Sequence, residues 1–168
     1  MYELITFQAK KRKKKVGLFV DDEKITYGDI LEAADKLAAF LADKGVKKGD
    51  KIALFLRNSP EFIYTIFVVS KFGAILVPVN TFLKEDELSY ILEDSGSTVL
   101  LASSIYDKVV NSSKASTLCK FIVWEDEKSA EGVQHVGFDE ALRSEKSVEN
   151  KAGKLEDTAV LIYTSGTT

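Results

Sequence analysis

Cysteine, histidine and proline are scarce in this sequence, which contains one, one and two of them among 168 residues. The single cysteine, Cys119, cannot form an internal disulfide, and this favours a cytoplasmic protein. Because Cys119 lies at the start of an apolar run, we predict a small core residue rather than a nucleophile. No cluster of cysteines or carboxylates at ligand spacing surrounds His135, so neither a metal site nor an acid–base role is predicted there. We expect His135 to be exposed and structural.

Long apolar runs are also missing. No stretch approaches the roughly 18 to 20 apolar residues that a membrane span needs, so no span is predicted. Residues 1–15 lack the apolar block and the cleavage site of a secretory signal. Hydrophobic residues make up 45% of the sequence and charged residues 29%, which is typical of a soluble globular protein. The length indicates one domain with an ordinary core.

The net charge of −3 conceals two halves of opposite sign. Residues 1–83 carry 14 basic and 10 acidic side chains, and residues 84–168 carry 9 basic and 16 acidic ones. The positive half owes its sign to the run KKRKKK at Lys10–Lys15. Such a run could bind nucleic acid or anionic lipid. No aromatic residue interleaves with it and the rest of the chain is acidic, so no nucleic-acid partner is predicted. The favoured interpretation is the solvated polar end of an N-terminal helix.

Short β-branched runs alternate with longer amphipathic stretches along the chain. A short β-hairpin is predicted over Gly17–Tyr27, followed by a helix that Thr26 and Asp29 begin and Gly45 ends. Further strands are predicted at Lys51–Leu56, Ala74–Val79, Thr98–Ala102, Lys120–Trp124 and Ala159–Tyr163. Further helices are predicted at Glu61–Phe72, Lys84–Gly96, near Ile105–Ser112 and near Phe138–Arg143. This alternation predicts an α/β fold, a mainly parallel sheet with helices on both faces.

The segment FVDDEK at Phe19–Lys24 is similar to the start of a two-component receiver domain, in which an acidic pair helps to hold a divalent cation. A receiver would need a phosphoacceptor aspartate at the end of a later strand. The next strands end at Arg57, Asn58 and Asn80, which do not supply it. An acidic hairpin turn is therefore the favoured interpretation. Dinucleotide and Walker-type glycine motifs are absent from the sequence.

The sequence ends in YTSGTT, and this segment follows a predicted strand. Gly166 would let the backbone turn sharply and bring N–H groups close to a ligand. Hydroxyl groups of Thr164, Ser165, Thr167 and Thr168 add further donors. In open parallel sheets, ligands bind beyond the carboxyl ends of the strands, where backbone amides can hold phosphate. As a bare pattern this loop is only moderately specific, because loops of serine, threonine and glycine are common.

The segment DTAVLIYTSGTT at Asp157–Thr168 resembles the phosphate-binding motif of the adenylate-forming enzymes. These include acyl- and aryl-CoA synthetases, adenylation domains of nonribosomal peptide synthetases, and luciferases. Residues Ile25–Ser103 resemble the N-terminal region of this family element by element. The matching landmarks are Thr26-Tyr27, Gly45-Val46, Gly49-Asp50, Asn58, Pro60-Glu61, Gly73-Ala74, Pro78, Asn80, Glu87-Leu88, Tyr90 and Leu92. The region from about Tyr106 to Lys154 matches loosely, and the lysine-rich start departs from the usual opening.

The resemblance implies a mechanism in two steps. A carboxylate attacks the α-phosphate of ATP to give an acyl-adenylate and pyrophosphate, and a thiol, commonly that of CoA, then displaces AMP. By resemblance, Thr164, Ser165, Gly166, Thr167 and Thr168 bind the triphosphate, with Mg²⁺ sharing its charge. The expected protein is an acyl-CoA synthetase, for a fatty or another carboxylic acid. An adenylation domain that loads a carrier protein is the alternative. Asn58 and Asn80 are interpreted as turn-forming residues.

The lysine and glycine that continue the family's motif lie beyond these 168 residues. We therefore expect a single incomplete domain over residues 1–168, the N-terminal portion of such an enzyme. Residues 1–25 would form a basic helix and the hairpin, residues 26–163 the βα units, and residues 164–168 a truncated phosphate loop. We expect these residues alone to be inactive and to self-associate through an uncovered sheet edge and an uncovered apolar face. A naturally short binding or regulatory module of the same fold is the remaining alternative.

Overall fold

The structure is a computed structural model that describes residues 1–126, 135–144, 148 and 156–164. The described strands are β1 (Val16–Val20), β2 (Glu23–Thr26), β3 (Lys51–Phe55), β4 (Ile75–Pro78), β5 (Ser97–Ala102), β6 (Phe121–Trp124) and β7 (His135–Gly137). The described helices are α1 (Tyr2–Arg12), α2 (Tyr27–Asp43), α3 (Pro60–Phe72), α4 (Glu85–Ser95), α5 (Asp107–Ser112), α6 (Ala115–Leu118) and α7 (Phe138–Ala141), with a 3₁₀ turn at Ser104–Tyr106. Among the helices described, none is long and apolar enough to cross a membrane.

Local capping residues stabilise the N-termini of the two longest helices, α2 and α3. Before α2, Thr26 Oγ1 accepts a hydrogen bond of 3.2 Å from the Asp29 N–H, and Asp29 Oδ2 accepts one of 2.9 Å from the Thr26 N–H. This reciprocal pair satisfies two backbone donors that the helix itself leaves free. Before α3, Ser59 caps the helix and Pro60 stands at its first turn, where no amide donor is needed. The capping residues predicted from the sequence are confirmed.

Glycines in the left-handed conformation end α3 and α4. Gly73 has a φ of 63° and Gly96 a φ of 66°, which side chains with a Cβ adopt only at a cost. Each glycine turns the chain at once into the next strand, β4 or β5. These tight turns keep helix and strand antiparallel and adjacent, as a βαβ unit requires.

The main sheet is parallel and has the strand order β4-β3-β5-β6-β7 within the described residues. Its side chains alternate between two faces. On one face Ile52, Leu54, Val99 and Leu101 pack under α1, α2, α3 and α7, and on the other Ala53, Phe55, Leu100 and Ile122 pack under α4, α5 and α6. The hairpin of β1 and β2 lies apart from this sheet, and Asp21 at its turn has a φ of 49°. The predicted α/β class, hairpin and acidic turn are confirmed.

The predicted strand at Ala159–Tyr163 is wrong as a full strand. It makes one parallel bridge, in which the Leu76 N–H donates to the Ala159 carbonyl (2.9 Å) and the Leu161 N–H donates to the Leu76 carbonyl (2.8 Å). The next outward-facing donor on β4 would come from Pro78, because Val79 already donates toward β3. Proline has no N–H, so the ladder stops there.

His135 differs from the exposed residue that the sequence predicts. It lies half-buried in β7, a short edge strand that pairs with β6. Its Nδ1 accepts a hydrogen bond of 2.6 Å from Trp124 Nε1, and the two rings are nearly parallel. The structural role was predicted, whereas the burial and the partner were not. The sequence around His135 is polar and short, and it gives no alternation from which a strand could be found.

Candidate functional site

A cleft of about 1020 Å³ opens at the carboxyl edge of the sheet, where ligands bind in folds of this kind. We call it the carboxyl-edge cleft. It is lined by the ends of β1, β3, β4 and β6 and by the segment that bridges to β4; the residues are Val20, Asp21, Leu56–Ser59, Phe62, Pro78–Phe82, Tyr106, Glu125, Ile162 and Tyr163. Its lining combines apolar side chains with the cation of Arg57 and the carboxylates of Asp21 and Glu125. Such a mixture suits a ligand that is partly apolar and partly charged.

The loop after β3 supplies one wall of this cleft. Arg57 and Asn58 are exposed, and Ser59 leads into the first turn of α3. Burial raises the pKa of Glu61 in that turn, and the negative charges of Glu125 and Asp139 act in the same direction. The cation of Arg57 lies four residues before Glu61, the carboxylate whose ionisation is disfavoured. Asn58, which the sequence predicted as a turn-forming residue, lies in the cleft wall.

The loop after β4 forms the facing wall. Asn80 Oδ1 accepts a hydrogen bond of 3.0 Å from the Phe82 N–H, so its side chain closes a local turn. The predicted turn-forming role of Asn80 is confirmed. This turn leaves Phe82 92% exposed at the mouth of the cleft.

Tyr106, which follows β5, and Glu125, which follows β6, complete the lining of the cleft. Ser104 donates a hydrogen bond to Asp126. The ring of Tyr106 packs on Phe55, with the ring centroids 4.9 Å apart. Sequence reasoning missed Tyr106 and Glu125 as cleft residues. Their positions directly after strand ends are a signal, but matching which strand ends share a wall requires the strand order.

Residues 156–164 are fixed at three points along their length. Near the start, Lys48 Nζ and Asp157 Oδ2 form an ion pair of 2.6 Å. In the middle, Val160 bridges to Leu76 of β4. Near the end, the Tyr163 hydroxyl donates a hydrogen bond of 2.6 Å to Asp94 Oδ2 of α4. The segment is therefore held against the outer side of β4 by charge, backbone and side-chain contacts.

Thr164 is exposed and lines a second pocket of about 420 Å³ beside the cleft. This side pocket lies against α4 and shares Pro78, Asn80 and Tyr163 with the carboxyl-edge cleft. Asp86 and Glu87 from the first turn of α4 also line it. Of the predicted phosphate-binding residues, Thr164 is described here, and Ser165, Gly166, Thr167 and Thr168 lie outside the described residues.

The described part of the chain contains no cluster of metal ligands and no reactive thiol. No three histidines, cysteines or carboxylates there are grouped so that they could hold a metal ion. Cys119 is 5% exposed, and burial raises the pKa of its thiol to about 12. A thiol with such a pKa is a poor nucleophile at neutral pH, as expected for a core residue.

Residues 5–168 match the family model described as AMP-binding enzyme. The chain belongs to this family. It is 34% identical over 158 residues to a medium/long-chain-fatty-acid–CoA/3-oxocholest-4-en-26-oate–CoA ligase of Mycolicibacterium smegmatis, covering 92% of this chain and 29% of that protein. It is 33% identical over 149 residues to a crotonobetaine/carnitine–CoA ligase of Salmonella enteritidis, covering 85% and 28%.

Solved structures give the same result. An anthranilate CoA ligase in complex with anthranoyl-AMP superposes with a TM-score of 0.90 at 29% identity, over 99% of this chain and 32% of that one. A fatty acyl CoA synthetase of Mycobacterium tuberculosis gives 0.77 at 28% identity, over 98% and 32%. The resemblance to adenylate-forming enzymes is confirmed. The chain spans 28% to 29% of the length of the two curated relatives named above.

Proposed function

We propose that this chain is part of an ATP-dependent ligase that activates a carboxylic acid as its acyl-adenylate and transfers the acyl group to CoA. In this proposal Thr164, Ser165, Gly166, Thr167 and Thr168 hold the triphosphate of ATP. The observation that carries it is the attachment of residues 156–164 along β4, at the end of which Thr164 lines the side pocket next to the carboxyl-edge cleft. Membership of the AMP-binding family and relatives that are CoA ligases support it.

The proposed task of the loop is positioning and charge stabilisation. Hydroxyl and backbone N–H donors on the β- and γ-phosphates would hold the α-phosphate in line for attack by the carboxylate. Pyrophosphate leaves, its growing negative charge is met by the same donors, and a thiol then displaces AMP. The anchors at Asp157, Val160 and Tyr163 would keep these donors in place before the nucleotide arrives.

The charges around Thr164 bear on how a triphosphate would be accepted. The lining of the side pocket contains the carboxylates of Asp86 and Glu87, and none of its described residues is a cation. One carboxylate oxygen of Glu87 is already hydrogen-bonded within the helix start, since Oε2 accepts a hydrogen bond of 3.0 Å from the Lys84 N–H. We infer that Mg²⁺ arrives with the nucleotide and shares its charge.

The acceptor thiol is proposed to be that of CoA, because the relatives named above are CoA ligases. A phosphopantetheinyl carrier protein would be the acceptor if the protein were instead a carrier-loading adenylation enzyme. The acyl substrate is a carboxylic acid, as in the names of these relatives.

The 168 residues by themselves are proposed to be inactive and to self-associate. The relatives with ligase names are far longer than the matched region. Ile162 is 71% exposed and Phe82 92% exposed, so apolar surface at the cleft is uncovered in this chain. Pyrophosphate exchange by this chain would contradict the first part. A monodisperse monomer in light scattering at high concentration would contradict the second.

The test is made on the whole protein with ATP, Mg²⁺ and a panel of carboxylic acids. Pyrophosphate release that depends on the acid, followed by AMP and a thioester when CoA is added, supports the proposal. Adenylate formation with transfer only to a carrier protein would refute the acceptor but not the adenylation. No acid in a panel of fatty, aryl and short-chain acids giving pyrophosphate would contradict the proposed function.

A further inference from the structure

Helix α1 presents an apolar face to solvent. Met1 before the helix is 63% exposed, Leu4 is 68% exposed and Phe7 is 50% exposed. These residues are spaced three apart, so they lie along the same side of a helix. Globular proteins usually keep such side chains covered when several are contiguous.

The opposite side of α1 is anchored, which fixes the direction of that face. Tyr2, Ile5 and Ala9 are buried against the core. The Tyr2 hydroxyl donates a hydrogen bond to Asp35, and its backbone N–H donates one of 3.1 Å to Ser70 Oγ. The helix therefore has no freedom to turn Leu4 and Phe7 inward without breaking these contacts.

The basic run Lys10–Lys15 continues directly from this face and is held in place. The Gly28 N–H donates to the Lys13 carbonyl and the Tyr27 N–H to the Lys15 carbonyl, both at 3.0 Å. A Cβ at Gly28 would lie 2.6 Å from Lys13 Cγ, so the glycine permits this close approach. Lys11 Nζ lies 4.4 Å from the centre of the Phe7 ring. The run is a fixed part of the surface and not a loose tail.

We propose that Met1, Leu4 and Phe7, together with Lys10–Lys15, dock this protein on the surface of an anionic lipid bilayer. The six cations of Lys10–Lys15 outnumber the carboxylates beside them, so the surface keeps the charge opposite to that of such a bilayer; those carboxylates are Glu3, Asp29, Glu32 and Asp35. Apolar side chains beside a cluster of lysines are the combination that places a helix in the interface, parallel to the membrane. This docking adds to the proposed ligase activity and does not depend on it.

Two other partners fit the same surface less well. Nucleic acid would use the lysines but would leave Leu4 and Met1 without a role, since phosphate and sugar contacts need donors and not alkyl groups. A second copy of the chain, related by a two-fold axis, would bring two runs of six cations into one interface. Like charges at close range oppose such a contact.

The experiment is flotation of the whole protein with vesicles through a density gradient, which separates bound protein from aggregates that sink. Vesicles contain phosphatidylcholine alone, or phosphatidylcholine and phosphatidylglycerol in equal parts. The double variants Leu4→Ser/Phe7→Ser and Lys11→Glu/Lys14→Glu are compared with matched controls. Ile105→Ser removes another apolar side chain, 55% exposed, and Lys108→Glu/Lys120→Glu reverses two exposed lysines elsewhere. Circular dichroism checks that every variant is folded.

We expect the chain to float with the anionic vesicles and not with the neutral ones, and to be released as salt is raised. Leu4→Ser/Phe7→Ser should weaken binding on the order of tenfold or more. Lys11→Glu/Lys14→Glu should weaken it by at least about fivefold per lysine, whereas both controls should bind normally.

Three results would overturn the proposal. The first is failure to float with anionic vesicles, and the second is equal flotation with neutral vesicles. The third is an unchanged affinity in Leu4→Ser/Phe7→Ser. Binding to a single-stranded oligonucleotide that only the lysine variant loses would instead indicate nucleic acid. A dimer that only Leu4→Ser/Phe7→Ser dissociates would indicate a second copy.

Discussion

The hydroxyl group of Tyr163 lies 2.6 Å from Asp94 Oδ2 and joins the segment before Thr164 to helix α4. Partial burial and then this hydrogen bond raise the pKa of Tyr163 to about 12. The phenol therefore stays protonated, and remains a donor to Asp94, across the physiological pH range.

Removing either partner of this bond should weaken nucleotide binding in the whole protein. Tyr163→Phe and Asp94→Ala should each raise the KM for ATP by about 2- to 10-fold, the effect of one charge-assisted hydrogen bond. The double variant should be no worse than the single ones, because both remove the same interaction. Fully additive effects in steady-state kinetics would show that the bond does not position the loop.

The pair of Lys71 and Asp35 should contribute to the free energy of unfolding. Lys71 Nζ lies 2.7 Å from Asp35 Oδ1, and the lysine side chain is only 6% exposed. Asp35→Ala would leave a buried ammonium group without its partner. We expect a loss of about 1 to 3 kcal/mol by urea denaturation, below the value for a fully buried pair because Asp35 is half-exposed.

Glu32→Ala is the matched control for Asp35→Ala on the same helix. Glu32 pairs with Lys36 at 2.7 Å, but both side chains are exposed. Its removal should cost less than about 0.5 kcal/mol. Equal losses for Glu32→Ala and Asp35→Ala would contradict the difference in burial.

Stability should fall as the pH is lowered through the titration of His135. Burial lowers the pKa of His135 below its ordinary value of 6.5. As the pH drops below 6.5, the unfolded chain takes up a proton that the folded protein resists, so the free energy of unfolding decreases until the pH reaches the lowered value. Protonated Nδ1 also cannot accept the hydrogen bond from Trp124.

The chain suits this measurement because it has one tryptophan and one histidine. Trp124 fluorescence should titrate with His135, and urea denaturation followed by that signal gives the pH dependence. His135→Asn removes the titrating group and should flatten the change just below pH 6.5. The same slope in His135→Asn would assign the effect to carboxylates instead.

Cys119 should resist thiol reagents in the folded protein. With its pKa raised to about 12 by burial, its reaction with an aromatic disulfide near pH 8 should be about a thousandfold slower than that of a free cysteine. Urea should abolish the protection. The control is Cys119→Ala combined with Lys108→Cys, an exposed thiol that should react at once. Rapid labelling of native Cys119 would contradict its place in the core.

Sequence reasoning succeeded where the cause of a structure is local. Helix starts and stops were predicted correctly because capping and positive φ depend on adjacent residues. The starts are at Thr26 and Ser59, and the stops are at Gly73 and Gly96. It failed at Ala159–Tyr163, since pairing there depends on Pro78, a residue of another strand.

The same contrast between local and long-range causes applies to the carboxyl-edge cleft. The α/β pattern alone predicted that ligands bind beyond the carboxyl ends of the strands, and Asn58 and Asn80, which follow β3 and β4, do line the cleft. The contribution of Tyr106 and Glu125 depends on the order of strands in the sheet. His135 could not be recognised as half-buried, because its partner Trp124 lies on the neighbouring strand, 11 residues away.

The most direct measurement of the proposed function is acid-dependent exchange of pyrophosphate into ATP by the whole protein, with variants of the loop. Thr164→Val and Gly166→Ala should each lower kcat/KM for ATP by about 10- to 100-fold, because donors to the triphosphate are lost or displaced. Thr158→Val, an exposed threonine earlier on the same segment, should leave exchange close to that of the unmodified protein. Normal exchange in both loop variants would contradict a triphosphate-binding role for Thr164–Thr168.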